Sequence, residues 1–579
     1  MLPADAGSFV LTRFCYMKML QSQDYIVFLF YFVIVACYGF WIYNRKKTAQ
    51  TNSKDYFLAE GALTWWAIGA SLIASNISAE QMIGMSGSGF KLGLAISTYE
   101  WMAAATLLIV AIFFIPVYLK NKIYTMPQFL SRRYNDTVAM IMAIFWLALY
   151  IVVNLMSILY LGALAVSSIS GVNIVVCIIL LAVFAVVITL GGMKVIGYTD
   201  VIQVFFLILG GLVATYIALH LLAKQSGETG LVAGFKIMTS QASDHFHMIF
   251  HKDSPNYVSL PGLSVLIGGM WIVNLNYWGC NQYITQRALG ADLPTARSGI
   301  LFAAFLKLLM PVIVVLPGIG AYVLYQHGMF HTEMLSSSGA VDVNKAYPNL
   351  MTLLPAGFKG LAFAALTAAI VASLAGKANS IATIFTLDIY KKAISKDADE
   401  RHLVRTGKIT VIVSMVLAVL LSLVIGEQLM GEGKQGFTYI QEYTGFFSPG
   451  ILAMFLLGFF WKRTTSNAAL FATIGGFVLS VILKFLPRWV NLDWLTPYGF
   501  YQANPENKGA FEIPFIDRMG FVFVFCFLGM ALINFFENRR GVEKKGLEVD
   551  TSMFRVSRSF AIGALVIVGL LITLYTVYW

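Results

Sequence analysis

The chain has 579 residues, 58% hydrophobic and only 12% charged, with 40 Lys and Arg against 29 Asp and Glu and a formal net charge of +11. A soluble domain of this length needs far more charge to cover its surface, so a water-soluble globular protein is excluded. The positive excess lies in short loops between apolar runs, which argues for topology and against nucleic-acid binding.

Fourteen apolar windows of about 20 residues recur along the sequence, each long enough to cross a hydrocarbon core of ~30 Å. They predict an all-α polytopic membrane protein with 14 transmembrane helices. Residues 1–24 read as a short external tail without the apolar core of a signal peptide. Residues 25–44 form a peripheral helix. Two five-span runs follow, 65–221 and 262–460, and peripheral helices occupy 467–579 with a solvated cytoplasmic linker at 537–559. The loops at 43–54, 120–137, 194–199, 287–297, 391–408, 462–463 and 537–559 carry 25 of the 40 Lys and Arg. That bias places them inside the cell and both termini outside. The long external loops, 222–258 and 326–358, are expected to form short helices over the outer mouth. Five scattered cysteines without a CxxC pair support neither a disulfide framework nor a zinc site.

Two spans differ from the rest. ASLIASNISAEQMIGMSGSG (70–89) sets Ser75, Asn76, Ser78, Glu80 and Gln81 inside an apolar run, followed by three glycines. WIVNLNYWGCNQYITQ (271–286) does the same with Asn274, Asn276, Asn281 and Gln282. Unwound backbone in lipid leaves N–H and C=O groups unpaired, which is tolerable only where they face protein, water, ion or substrate. Each interrupted span opens one of the five-span runs, and an odd number of helices separates them. Interrupted helices in corresponding positions of two inverted halves point to a secondary transporter with its site at the midplane.

GASLIASNISAEQMIGMSGSG, together with STYEWM (97–102), YTDVIQVFF (198–206), NYWGCNQYITQR (276–287), AAIVASLAGKANSIATIFTLDIYK (368–391) and YIQEYTGFFSPGILA (439–453), resembles the sodium–solute symporters. The likeness is greatest to the sodium/glucose branch, especially bacterial sodium/galactose symporters. The resemblance spans roughly residues 50–490. It implies a five-plus-five inverted-repeat (LeuT-like) core, alternating access, Na+ as coupling ion without an organic cofactor, a small-molecule sugar as cargo, and a bacterial inner membrane as location.

A hexose offers hydroxyls around a small apolar face, so its site needs several donors and acceptors plus aromatic or methionine walls. The resemblance assigns Gln81, Glu100, Asn274, Lys307 and Gln441 to the sugar hydroxyls. It assigns Met85, Tyr99 and Phe437 to an outer lid, Tyr277 to an inner gate stacked on the pyranose, and Asn76 to the Tyr277 hydroxyl. Intramembrane amides also serve as helix glue, and a Glu100–Lys307 pair without ligand is the plainer reading of those two charges. No catalytic residues are expected, because no carboxylate or serine geometry is legible around the histidines.

For sodium, the resemblance implies the carbonyls of Ala74, Ile77 and Ala369 with two adjacent serine hydroxyls. Three positions depart from that pattern. Ala103 replaces a serine that contacts the sugar, Ala372 replaces one of the two ion-site serines, and Lys377 stands where an apolar residue is expected. Residues 369, 373 and 377 share a helical face, so Lys377 leans toward Ser373. Three outcomes follow: Lys377 lines a watery inner vestibule, pairs with Asp200 on the ion exit path, or replaces the ion. Alternatives at the level of function are a sugar carrier that is proton-coupled or uncoupled, and a transporter-like membrane sensor. The oligomeric state has no signature in the sequence.

Overall fold

The computed structural model describes residues 20–45, 63–336, 339–430, 436–507 and 509–579. Most of the expected external tail, and residues 46–54 of the expected first cytoplasmic loop, lie outside the described residues. Ten described helical stretches are long and apolar enough to cross a membrane, eleven if the pair Gly436–Gly445 and Ser448–Phe460, bent by 48°, is one span. The three remaining apolar windows fall on the 16-residue helix Ile174–Thr189 and on two interrupted helices. The strands among the described residues form a small hairpin, Gln502–Asn504 against Ala510–Glu512.

Burial separates centre from periphery. The apolar window of Phe358–Ile394 is 89% buried within the protein, whereas those of Ser22–Ile42 and Arg558–Val577 are each 17% buried. Leu565 and Val566 on the last helix, and Val424 on Glu400–Met430, point outward, as apolar side chains bathed in lipid would.

The site-forming elements are α1 (Trp65–Asn76), α2 (Thr98–Ile109), α3 (Gly192–Gln225), α4 (Gly269–Cys280), α5 (Gln282–Leu289), α6 (Leu293–Gln326), α7 (Phe358–Thr383) and α8 (Gly436–Gly445). α1 packs against α3, α5, α6 and α7. Its crossing with α6 is close because both sides are glycine. A Cβ on Gly69 would lie 2.7 Å from the Gly299 carbonyl oxygen, and one on Gly299 2.8 Å from that of Trp65. Small-residue crossings of this kind bring helix backbones together where lipid gives no hydrophobic drive to association. The N-terminus of α7 is capped from outside its own chain segment. Asp24 Oδ1 accepts the Gly357 N–H at 2.7 Å and the Gly360 N–H at 2.9 Å.

The loops at 222–258 and 326–358 contain the expected short helices, Leu231–Gln241 and Ala346–Thr352. The linker at 537–559 is not free in solvent along its length. Helix Phe515–Arg539 runs into it, and the remainder is tied to the ends of core helices. Asn121 donates to the Glu548 carbonyl at 3.0 Å, Arg133 to Lys545 at 2.7 Å, and Arg297 to Met553 and Arg555 at 2.8 and 2.7 Å. Arg133, Arg287 and Arg297, counted above as loop charges, are all buried. Five guanidinium donors can cap several carbonyls at once, which a lysine cannot do.

Candidate functional site

The α1 helix ends at Asn76, and Ile77 is extended (φ −80°, ψ 111°) before a π-helical turn, Glu80–Met85, resumes the path. The Ser78 N–H donates to Gln81 Oε1 at 3.1 Å, and the Glu80 N–H to Ser78 Oγ at 3.1 Å. Side chains thus replace the ladder bonds that the break removes. The second interrupted helix breaks at Asn281 (φ −95°, ψ 130°) between α4 and α5. There Tyr150 donates its hydroxyl to Asn281 Oδ1 at 3.1 Å and accepts the Gln282 N–H at 3.2 Å. Tyr118 caps the Gly279 carbonyl at 2.6 Å.

Between the two breaks lies a cavity of about 40 Å³, small against the ~300–1,000 Å³ of ordinary ligand pockets. Its walls are drawn together. Gln81, Glu100, Asn274, Lys307 and Gln441 all line it, as do Asn76, Tyr99, Tyr277 and Phe437. Met85 is fully buried but is not on the wall. Tyr99 and Phe437 meet edge to face, ring centroids 5.0 Å apart.

The charges of the cavity are engaged with each other. The Lys307 ammonium donates to Glu100 Oε2 and to Asn76 Oδ1, and stands 5.2 Å from the Trp278 ring centroid. Asn76 Nδ2 in turn donates to the Tyr277 hydroxyl at 2.9 Å. One chain of polar contacts therefore runs from α2 through α6 and α1 to α4. Asn274 donates to the Met270 carbonyl on its own helix at 3.1 Å. Ala103 lines the cavity with its methyl group, so the missing serine hydroxyl leaves this wall apolar.

Below the α1 break, Ser373 of α7 donates to the Ser75 carbonyl at 3.1 Å, joining the last turn of α1 to α7. Ala74, Ile77 and Ala369 are buried in the same region. Lys377 is 1% exposed, so it does not line a watery vestibule in this conformation. Its ammonium donates to Ser373 Oγ at 3.3 Å and stands 5.0 Å from the Tyr283 ring centroid. Asp200 is engaged elsewhere: it accepts the Ser71 hydroxyl at 2.5 Å and lies 3.9 Å from Arg287 Nη2. The expected alternative of an Asp200–Lys377 pair is therefore not what this conformation contains. The side chains present do not fit a sodium ion at this position, since Ala372 supplies no oxygen and an ammonium already occupies the remaining serine.

A sequence model of the sodium:solute symporter family matches residues 56–476. The chain belongs to the sodium:solute symporter family. This family member is 45% identical over 571 residues to a sodium/glucose cotransporter of Vibrio parahaemolyticus, covering 97% of this chain and 99% of that protein. It is 33% identical over 521 residues to the sodium/myo-inositol cotransporter of Homo sapiens, covering 85% and 70%. Among solved structures, a Na+-coupled sialic acid symporter in a substrate-bound, outward-open state superposes with a TM-score of 0.73. The two share 20% sequence identity over 91% of this chain and 100% of that one, a likeness of fold.

Five side chains at or beside this symporter's site were not assigned to it from the sequence. Glu80 and Asn154 line the cavity, and Ser157 donates to Glu80 Oε1 at 2.9 Å. Glu80 stands in the polar patch of the first interrupted span, so the signal was present beside Gln81. Tyr283 lines the cavity and meets Tyr277 edge to face at 5.7 Å. Arg287 donates to Ser71 Oγ at 2.8 Å and to the Tyr283 carbonyl. Its position at the end of an apolar run made it look like a loop charge. Room for it depends on Gly376, where a Cβ would come within 2.5 Å of Arg287 Nη2.

Proposed function

We propose that this chain is a secondary active transporter that carries a hexose across the cell membrane by alternating access. The observation that carries the reading is the cavity between two broken helices, lined by amides, two buried acids and one buried base, and closed by aromatic rings. Amides and charged groups suit sugar hydroxyls, and the rings suit the apolar face of a pyranose. Full-length likeness to a protein named as a sodium/glucose cotransporter supports the same substrate class. Under this reading the fourteen apolar windows are fourteen spans, the core is a five-plus-five inverted repeat, and both termini are external.

Gln81, Glu100, Asn274, Lys307 and Gln441 bind the sugar hydroxyls. Tyr99 and Phe437 close the outer side together with the buried Met85, and Tyr277, latched by Asn76, closes the inner side. To admit a hexose, the walls part and the Lys307 ammonium exchanges protein acceptors for sugar oxygens. Symport with sodium is the first reading, in keeping with the relatives, although the position expected at Ala74, Ile77, Ala369 and Ser373 is taken by the Lys377 ammonium in this conformation. A second reading is favoured by one observation, the placement of Lys377 at that position: a sugar carrier whose cation there is its own lysine. Counterflow of labelled galactose and glucose in proteoliposomes tests the substrate class. Accumulation of neither hexose against a preloaded gradient of the same sugar overturns the reading.

A further inference from the structure

The described side chains around the α1 break form a closed set of charges. Glu100 faces Lys307, and Asp200 faces Arg287. That leaves Glu80, which accepts from Ser157 on the cavity wall, and Lys377, which donates to Ser373 beside the α1 break. Three carboxylates thus stand against three cationic groups, and the buried set is neutral without any added ion. A sodium ion would leave one buried positive charge uncompensated, the arrangement that low-dielectric interiors tolerate least.

Geometry agrees with the charge count. Ser373 already uses its proton on the Ser75 carbonyl and one lone pair on the Lys377 ammonium. Ala372 offers a methyl group in place of a hydroxyl. The hydroxyl left without a partner, Ser75 Oγ, lies 3.2 Å from where a Gly376 Cβ would stand, on the side of α7 that faces the Arg287 guanidinium. That positive group repels a second cation.

We infer that the Lys377 ammonium occupies the cation position between α1 and α7, and that this position binds no sodium ion in this family member. The lysine is a tethered cation. It bridges α7 to the broken end of α1 through Ser373, as an ion in that place would, but it cannot leave with the sugar. A cation that stays bound stores no gradient energy at this position. The inference rests on the hexose-transport reading for its link to cargo, while its test counts ions and stands without it.

The test measures equilibrium 22Na+ binding, as ions per protein, for the purified wild type, Lys377→Met, and Lys377→Met combined with Ala372→Ser, each checked for monodispersity. Hexose counterflow is measured in parallel with Na+ or choline. Removing the ammonium leaves Glu80 without its counter-charge and clears Ser373 Oγ, so Lys377→Met gains one sodium per protein over wild type. The double variant binds it at least severalfold more tightly. Counterflow of the wild type stays within twofold when choline replaces Na+, and that of the double variant rises with Na+ and saturates. Equal sodium stoichiometry in wild type and the variants overturns the inference, as does saturable Na+ activation of the wild type that Lys377→Met leaves unaltered. Where Lys377→Met does not fold, Lys377→Gln, which keeps a polar stem of similar reach, is read by the same criterion. Counterflow of no hexose in any form overturns the hexose reading instead, and the ion count is unaffected.

Discussion

Glu100 and Lys307 can be a structural ion pair or part of a sugar site, and a three-variant series separates the two. Glu100 is 3% exposed and Lys307 1%, and the ammonium donates to the carboxylate and to Asn76. Removing one partner strands the other as a buried charge, which costs roughly 3–5 kcal/mol of stability. Glu100→Gln or Lys307→Met alone therefore lowers the thermal midpoint clearly. The double variant Glu100→Gln/Lys307→Met removes both charges at nearly constant volume and recovers most of that loss, because replacing a buried pair by neutral groups is often close to neutral. Sugar binding behaves differently. If each group bonds a hydroxyl, the double variant leaves sugar hydroxyls unpaired in a dry cavity, at roughly 1–3 kcal/mol per lost contact. At 1.4 kcal/mol per decade, that is about 5- to 150-fold in hexose affinity per contact. Thermal unfolding in detergent and direct hexose binding on the same preparations supply both numbers. A double variant as stable as wild type that binds hexose with wild-type affinity would refute the assignment and leave the pair as helix glue.

Three further outcomes are expected. Gln81→Ala and Gln441→Ala each raise the half-saturation for hexose by roughly 5- to 150-fold, and the deoxy sugar lacking the matched hydroxyl loses less in its variant than in wild type. Tyr277→Phe removes the 2.9 Å bond from Asn76 and costs about 1 kcal/mol, whereas Tyr277→Ala also removes the ring and slows counterflow further; equal rates in the two would deny the ring a part in closure. Asp24→Ala uncaps α7 and lowers stability by roughly 0.5–2 kcal/mol, while Asp24→Asn, which keeps an acceptor near the Gly357 and Gly360 N–H groups, recovers most of it. An unfolding midpoint unchanged in Asp24→Ala would place that cap's energy at nothing.

The broken helices were legible because lipid makes local sequence unusually informative. Asn76 and Asn281, set inside apolar runs, mark the places where backbone leaves the helical ladder. On the cavity wall, the resemblance supplied Gln81, Glu100, Asn274, Lys307 and Gln441 and the gate residues Asn76, Tyr99, Tyr277 and Phe437. Lys377 could be aimed at Ser373 from spacing alone, since residues four apart share a helical face, and the structure joins them at 3.3 Å. What local sequence did not show was the distant partners of Arg287, Asp200 and the linker. Arg287 lies at the end of an apolar run, the place of a loop charge, until Gly376 from α7 and Asp200 from α3 surround it. Asp200 was offered to Lys377 for the same reason, because nothing local reveals that a guanidinium from α5 has reached it first. The linker at 537–559 is polar and reads as solvated, yet its carbonyls are held by Arg133 and Arg297, 412 and 258 residues away in sequence.

The π-helical turn Glu80–Met85 joins the two halves of the site. Gln81 accepts from Ser78 at the end of the α1 break and also lines the cavity. Glu80, one residue earlier, lines the same cavity, accepts from Ser157, and is the carboxylate that balances Lys377 in the formal charge count. A π turn carries one extra residue per turn relative to the α-helix and is frequent at functional sites. Here it lets two consecutive polar side chains, Glu80 and Gln81, line the cavity between the two breaks. Any rearrangement of the turn that shifts Gln81 against a sugar must therefore move the counter-charge of Lys377. Glu80→Gln separates these duties. It keeps the hydrogen bond from Ser157 and the volume of the wall while stranding the Lys377 charge, so it lowers the thermal midpoint more than it lowers hexose affinity. Wild-type stability in Glu80→Gln would mean that the ammonium has another counter-charge, and the link between cation position and cavity would fall with it.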